Sequence, residues 1–243
     1  MMQAQRALAI SRKDIVSYYG KPPLVTWGLM FPGVLLLSVY LKDPGTYLQV
    51  SPGILAMTLL FASTSMSAIV ITFEKRAGTF QRLLLAPLHV QTILLGKTLS
   101  AAAYGLATTL VLTLGLAVLL GLRLTSPAYF VLGLLLGALL FALLGLMAAM
   151  VVNEVFEAMT LMNFFRFPLL FISGVFMPLG QMPGWLQALA WLSPLTHIVD
   201  LLGIGITGQS HFRGAWLPLS ASSAFLLGSA WAAWATFRRR MFH

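Results

Sequence analysis

The chain has 243 residues, of which 59% are hydrophobic and only 9% charged, against about 25% charged residues in soluble domains. So little polar surface excludes a water-soluble globule and predicts a polytopic membrane protein. The absence of cysteine excludes a disulfide framework, a thiolate metal site and a cysteine nucleophile, and the net charge of +9 points to topology and anionic lipid before nucleic acid.

The first segment, 1–22, reads as an interfacial helix on the cytoplasmic face. Leu8, Ile15, Tyr18 and Tyr19 lean to one side, and Arg12 interrupts the stripe. The run "SRKD" at 11–14 breaks the segment before an apolar core forms, which argues against a cleaved signal peptide. Six apolar segments follow: 24–41, 51–73, 98–122, 126–152, 158–177 and 215–237. Each approaches the roughly 20 residues needed to cross the hydrocarbon layer. In the fourth, Gly133 and Gly137 stand four apart with Gly145 beyond, a spacing that permits close helix contact.

Lysine and arginine set the orientation. Six spans place Arg6, Arg12, Lys13, Lys21, Lys75, Arg76, Arg82, Lys97 and Arg238 to Arg240 on one side, which is 11 of the 15 basic residues. Both termini are therefore expected in the cytoplasm. The loop "VNEVFEA" dissents with Glu154 and Glu157 and no basic residue.

Between the second and third spans, residues 79–88 carry a helical rhythm. Phe80, Leu83, Leu84 and Pro87 follow i, i+3, i+4, i+7, while Gln81 and Arg82 point elsewhere. Gly78 permits a sharp entry, Thr79 suits a cap, and Pro87 disfavours continuation. The expectation is a two-turn cytoplasmic helix hung between two spans.

Residues 178–214 are too apolar for an ordinary loop, and Pro178, Pro183 and Pro194 divide them into pieces too short to span. They read as an external hairpin of two short helices, re-entrant or interfacial, with Trp185 in the interfacial belt. Leu195, Ile198, Val199, Leu202 and Ile206 share a face of the second helix.

The chemistry is sparse. Neither a GxxxxGK[ST] loop nor an HExxH or GxSxG motif is present. His197 and Asp200 lie three apart, so a lipid-modifying enzyme with an outer His/Asp site is the alternative reading. The one deep charge is Arg166 in "MNFFRFPLL", with Asn163 one turn away. It faces either a substrate cavity or a carboxylate or carbonyl on a neighbouring helix, because an unpaired cation there costs at least about 2.5–3.5 kcal/mol. Pro168 removes a backbone donor nearby and predicts a kink.

The run "EKRAGTFQRLLLAPLHVQTILLGK" resembles the second-to-third-span loop of ABC-2 type transporter permeases. The later "FPLLFISGVFMPLGQMPGWLQALAWLSPLTHIVD" resembles the same family at the end of its fifth helix and the external hairpin. The likeness covers essentially the whole chain, read as one all-α transmembrane domain, 1–243. It implies that the loop is a coupling helix seated on a separate ATP-binding subunit, with Glu74, Arg76, Gly78, Thr79, Phe80, Arg82, Leu83, Leu84 and Pro87 at the contact. It further implies a non-enzymatic permease subunit that exports an amphipathic drug, small molecule or lipid by alternating access from a bacterial or archaeal plasma membrane. Two ATPase copies and a second permease chain would complete it, in a homodimer or heterodimer among membrane lipids. This chain would bind no cofactor, with ATP and magnesium used by the ATPase.

Overall fold

The computed structural model describes residues 2–19, 26–43, 45–85, 88–212 and 214–241. Among these residues there are ten α-helices and no strand. α1 is Met2–Tyr18, and a π-helical turn, Thr26–Met30, leads into α2, Phe31–Lys42. α3 is Tyr47–Arg76, α4 Thr79–Leu85, α5 Val90–Leu120 and α6 Pro127–Val151. α7 is Val155–Ile172, α8 Gly184–Trp191, α9 Pro194–Thr207 and α10 Trp216–Met241.

Four of these helices, α3, α5, α6 and α7, are long and apolar enough to cross a membrane. α8 and α9 would qualify as a pair, but they bend by 89°. The chain is thus a multi-pass all-helical membrane protein. What is described of the first expected span is a shorter apolar helix, Gly28–Lys42. The last expected span is α10, 26 residues long but interrupted by Pro218 and by Ser220, Ser222, Ser223 and Ser229.

α3 is the axis. Its 30 residues reach roughly 45 Å at 1.5 Å per residue, and it packs against α2, α5, α6, α7 and α9. Every residue from Ser51 to Thr72 is buried. Lipid offers no hydrogen-bond partner, so its hydroxyls must find partners in protein. Thr58 and Thr72 donate back to Ile54 O and Ala68 O, both at 2.8 Å, and Ser67 donates across to Ala142 O of α6 at 2.8 Å. Pro52 cannot donate to Leu48 O, and Ser51 Oγ fills that acceptor at 3.1 Å.

The glycines of α6 do what their spacing predicts. Gly137 faces Leu59 and Ile198, and Gly145 lies against the α3 backbone at Thr64. α6 therefore seats directly on α3 and α9.

α9 departs from the expected interfacial stripe. All of Leu195 to Ile206 is buried, on every side of the helix. The predicted face is inside, but so are His197 and Asp200. The reason is that α9 inserts between α3, α6 and α10, while α8 stays peripheral with Trp185 and Trp191 exposed. Its far end is tied down by Thr125 Oγ1 to Ile206 O at 2.8 Å and Ser126 N to Gly205 O at 3.0 Å. α7 continues through Pro168 to Ile172.

A Cβ at Gly145 would sit 2.4 Å from Thr64 O, whereas one at Gly115 meets nothing within 4 Å. Gly145→Ala is expected to destabilise the purified protein by about 1–3 kcal/mol through overpacking, read as a lower melting temperature in detergent. Gly115→Ala should melt no lower than the parent.

Candidate functional site

The end of the bundle that carries Lys13, Glu74 and Lys97 gathers most of the charge, and is called the basic end. α4 lies there. Gly78 adopts φ +69°, the left-handed conformation that lets the chain leave α3 and turn at once into α4. The Thr79 hydroxyl donates back to Glu74 O at 3.3 Å rather than forward to an α4 amide, so it braces the turn.

α4 has two faces. Phe80 is buried edge-on to Phe237 at 6.1 Å between ring centroids, in a cluster with Ile10, Ile93 and Leu146. Leu83 is half-buried against the same cluster. Gln81, Arg82 and Leu85 are exposed, Leu85 to 87%. Phe80 and Leu83 of the expected stripe are thus the anchor, and Gln81, Arg82 and Leu85 face away; the Leu84 side chain lies outside the described residues. Pro87 lies outside the described residues.

Beside α4 is a cavity of about 400 Å³ lined by Lys75, Arg76, Phe80, Gln81, Asn153 and Glu154. Arg76 Nη1 pairs with Glu154 Oε2 at 3.1 Å across its mouth. Lys75 Nζ donates to Ala149 O at 2.6 Å and Val152 O at 2.9 Å, filling carbonyls left open at the C-terminus of α6. Glu154 and Glu157 form a reciprocal capping box at the start of α7. That explains the acidic loop: its carboxylates cap a helix and pair with Arg76.

Behind α4 lies a network that the sequence reading missed. Lys97 Nζ meets Asp14 Oδ1 at 3.1 Å, Asp14 Oδ2 at 2.9 Å and Glu74 Oε2 at 2.5 Å. Lys13 pairs with Glu74 Oε1, and with Asp14 Oδ1 at 3.0 Å. Ser100 Oγ donates to Asp14 Oδ2 at 3.3 Å. The Lys97 side chain is 1% exposed and that of Lys13 51%. Burial works against the Lys13 ammonium, but its hydrogen bonds to Glu74 and Asp14 outweigh that and raise its pKa above the ordinary lysine value. Asp14 and Glu74 neutralise Lys97, so α5 starts at Val90, eight residues before the expected span. The missed signal was a spacing: Ala7, Ile10, Ser11 and Asp14 form the buried face of α1, while Leu8 points out.

Midway along the bundle, Arg166 is 1% exposed. Its Nε donates to Thr64 Oγ1 at 2.8 Å, Nη2 to Thr64 Oγ1 at 2.5 Å and Ser65 Oγ at 2.8 Å, and Nη1 to Asn163 Oδ1 at 3.2 Å. Its guanidinium stacks over the Phe61 ring at 4.7 Å. Nη2 also donates to Phe61 O at 3.5 Å, so hydroxyls, an aromatic face and the expected carbonyl of α3 hold it, and no carboxylate is among these partners.

At the opposite end, Asp200 accepts from Ser210 Oγ at 2.7 Å and His211 N at 2.6 Å. His197 Nε2 lies 3.0 Å from Trp191 O, and its ring packs on Phe212 at 5.3 Å. His197 bonds to the end of α8 and Asp200 to the loop after α9 rather than to each other, and no group of three metal-ligating residues occurs among the described residues. Pro178 caps a short 3₁₀ turn, Pro183 caps α8, and Pro194 opens α9. A cavity of about 510 Å³ opens here, with Gln49, Gln181, Thr207, Gln209 and His211 in its lining.

The family model for the ABC-2 type transporter matches residues 5–206. The chain belongs to that family. It is 28% identical over 200 residues to the probable multidrug ABC transporter permease YbhR of Escherichia coli, covering 79% of this chain and 52% of that protein. It is 30% identical over 214 residues to the putative transport permease ycf38 of Cyanophora paradoxa, covering 81% and 72%. The inner membrane transport permease YadH of Escherichia coli is 26% identical over 194 residues, covering 77% and 75%. This ABC-2 chain spans about half the length of YbhR.

Thr64 accepts twice from Arg166. Thr64→Val is expected to cost about 1.5–3 kcal/mol, the range for hydrogen bonds to a charged group, while Thr64→Ser stays near the parent. Thermal unfolding of both variants in detergent checks this.

Proposed function

We propose that this chain is the transmembrane subunit of an ATP-driven exporter and that α4 is the seat of its ATPase. The observation that carries the reading is the two-faced α4. A seven-residue helix hangs by a positive-φ glycine between two of the membrane helices, α3 and α5. It buries Phe80 in the bundle and leaves Gln81, Arg82 and Leu85 without a described cover. Such a helix transmits a push, because it is anchored on one side and open on the other.

In this reading the bundle has six spans, with α2 and α10 as the first and last. The basic end and both termini face the cytoplasm of a bacterial or archaeal cell, as the lysine and arginine bias requires. The end with the 510 Å³ cavity faces out. Two ATPase subunits carry ATP and magnesium, and their closure drives two permease chains between inward- and outward-facing states. The absence of a P-loop motif in this sequence agrees with an external engine. Asn163 and Arg166 stand on the path of an amphipathic small molecule, drug or lipid-like cargo, beside the exposed rings of Phe164 and Phe165.

Arg82→Glu with Leu85→Asp alters only exposed positions. It is expected to weaken co-purification of the ATPase at least about tenfold, equivalent to about 1.4 kcal/mol, with an unchanged melting temperature. Full retention of the ATPase would refute the coupling role of α4. For the cargo path, Arg166→Ala is expected to change the apparent affinity for transported drugs in vesicle efflux assays. Unchanged transport of every cargo would remove Arg166 from the path.

A further inference from the structure

We infer that Asp14, Glu74 and Lys97 form the joint through which movement of α4 passes to α1 and α5. This rests on the coupling reading of α4 and goes beyond it.

Glu74 stands four residues before Gly78, on the last turn of α3. Its carboxylate is shared: Oε1 takes Lys13 of α1 and Oε2 takes Lys97 of α5 at 2.5 Å. Lys97 in turn holds both oxygens of Asp14 on α1. α1 otherwise packs along α5 and only grazes α3. It sits close there, with Ala7 O 2.9 Å from where a Cβ of Gly96 would be. Glu74 is therefore the ionic tie between the stem of α4 and the α1–α5 pair, beside the apolar cluster of Phe80 with Ile10 and Ile93.

The arms differ. The half-exposed Lys13 can exchange Glu74 for water, but the enclosed Lys97 has no water to turn to. A displacement that pulled Glu74 away would take from the buried Lys97 one of its two carboxylate partners, leaving Asp14 alone, which is unfavourable. The lower-energy course is for α5 and α1 to follow. The two lysines and two carboxylates balance, so the cluster moves as one neutral unit. Stability alone is a poor reason for such a cluster, since well-packed apolar groups often serve as well.

The chain has no cysteine, so paired spin labels can be placed without background. One pair joins Gln81→Cys on α4 to Val131→Cys on α6, and the other joins Val16→Cys on α1 to Val131→Cys. All three positions are exposed. Distances are measured in the permease–ATPase complex in lipid nanodiscs, with and without Mg-ATP and vanadate. In the parent both pairs should shift. In Glu74→Gln the α4 pair should still shift and the α1 pair should not, while Glu74→Asp, which keeps the charge, restores the α1 response. An α1 shift in Glu74→Gln equal to the parent's would overturn the joint and leave the coupling reading intact. Absence of an α4 shift in the parent would overturn the coupling reading, and the joint with it. Should Glu74→Gln fail to insert, Asp14→Asn keeps Glu74 on Lys97 but removes the carboxylate that α1 gives to Lys97. A reduced α1 shift then supports the joint, and an unchanged one overturns it.

Discussion

Everything in this molecule hangs on one constraint. A polar group inside the bundle must be matched by another protein group, because lipid cannot do it. α3 answers that constraint along most of its length, with the buried Ser63 hydroxyl as an exception. Its threonines bond to their own backbone, Ser67 reaches α6, and Thr64 and Ser65 receive Arg166. Its last turn offers Glu74 to two lysines. The helices around α3 are arranged by where those matches fall. α7 is fastened at Arg166, α6 closes where Gly145 admits the α3 backbone, and α1 and α5 meet it through the charge cluster.

The two ends of the bundle are built differently. At the end away from the basic residues, Asp200 spends both oxygens on the loop after α9, and Thr125 and Ser126 fasten the end of that helix. At the basic end, α4 hangs from a glycine and rests on one aromatic anchor. Asp14, Glu74 and Glu154, three of the six acidic residues, all form ion pairs there. A rigid closed end and a jointed end with a free helix face suit a subunit driven from one side.

Much of this was legible in the sequence. Apolar runs long enough to cross a membrane announced α3, α5, α6 and α7. The glycine spacing announced the seat of α6, and the rhythm of Phe80 and Leu83 announced the anchored face of α4. What escaped were matches between distant residues. Lys97 looked like a loop residue, because one lysine before an apolar run shows nothing of the Asp14 that neutralises it 83 positions earlier. Leu8 looked like a face of α1, but the buried side carries smaller residues because α1 must pass Gly96 closely. His197 and Asp200 stood out only as a His/Asp pair three residues apart in the external hairpin. Their partners, Trp191 O and the 210–211 loop, exist only once α9 has inserted. For Arg166 the sequence left a cavity and a carboxylate or carbonyl partner open. A carbonyl partner is present, Phe61 O, but the hydroxyl partners on α3, 101 and 102 positions away, were not foreseen.

The central claim is that the open face of α4 receives the ATPase. Single cysteines at Arg82, Leu85, Phe80 and, at the opposite end, Gln209 test it by cross-linking in isolated membranes that contain both subunits. The account predicts ATPase cross-links from positions 82 and 85 and none from 80 or 209. Cross-links absent from 82 and 85, or equally strong from 209, would contradict it.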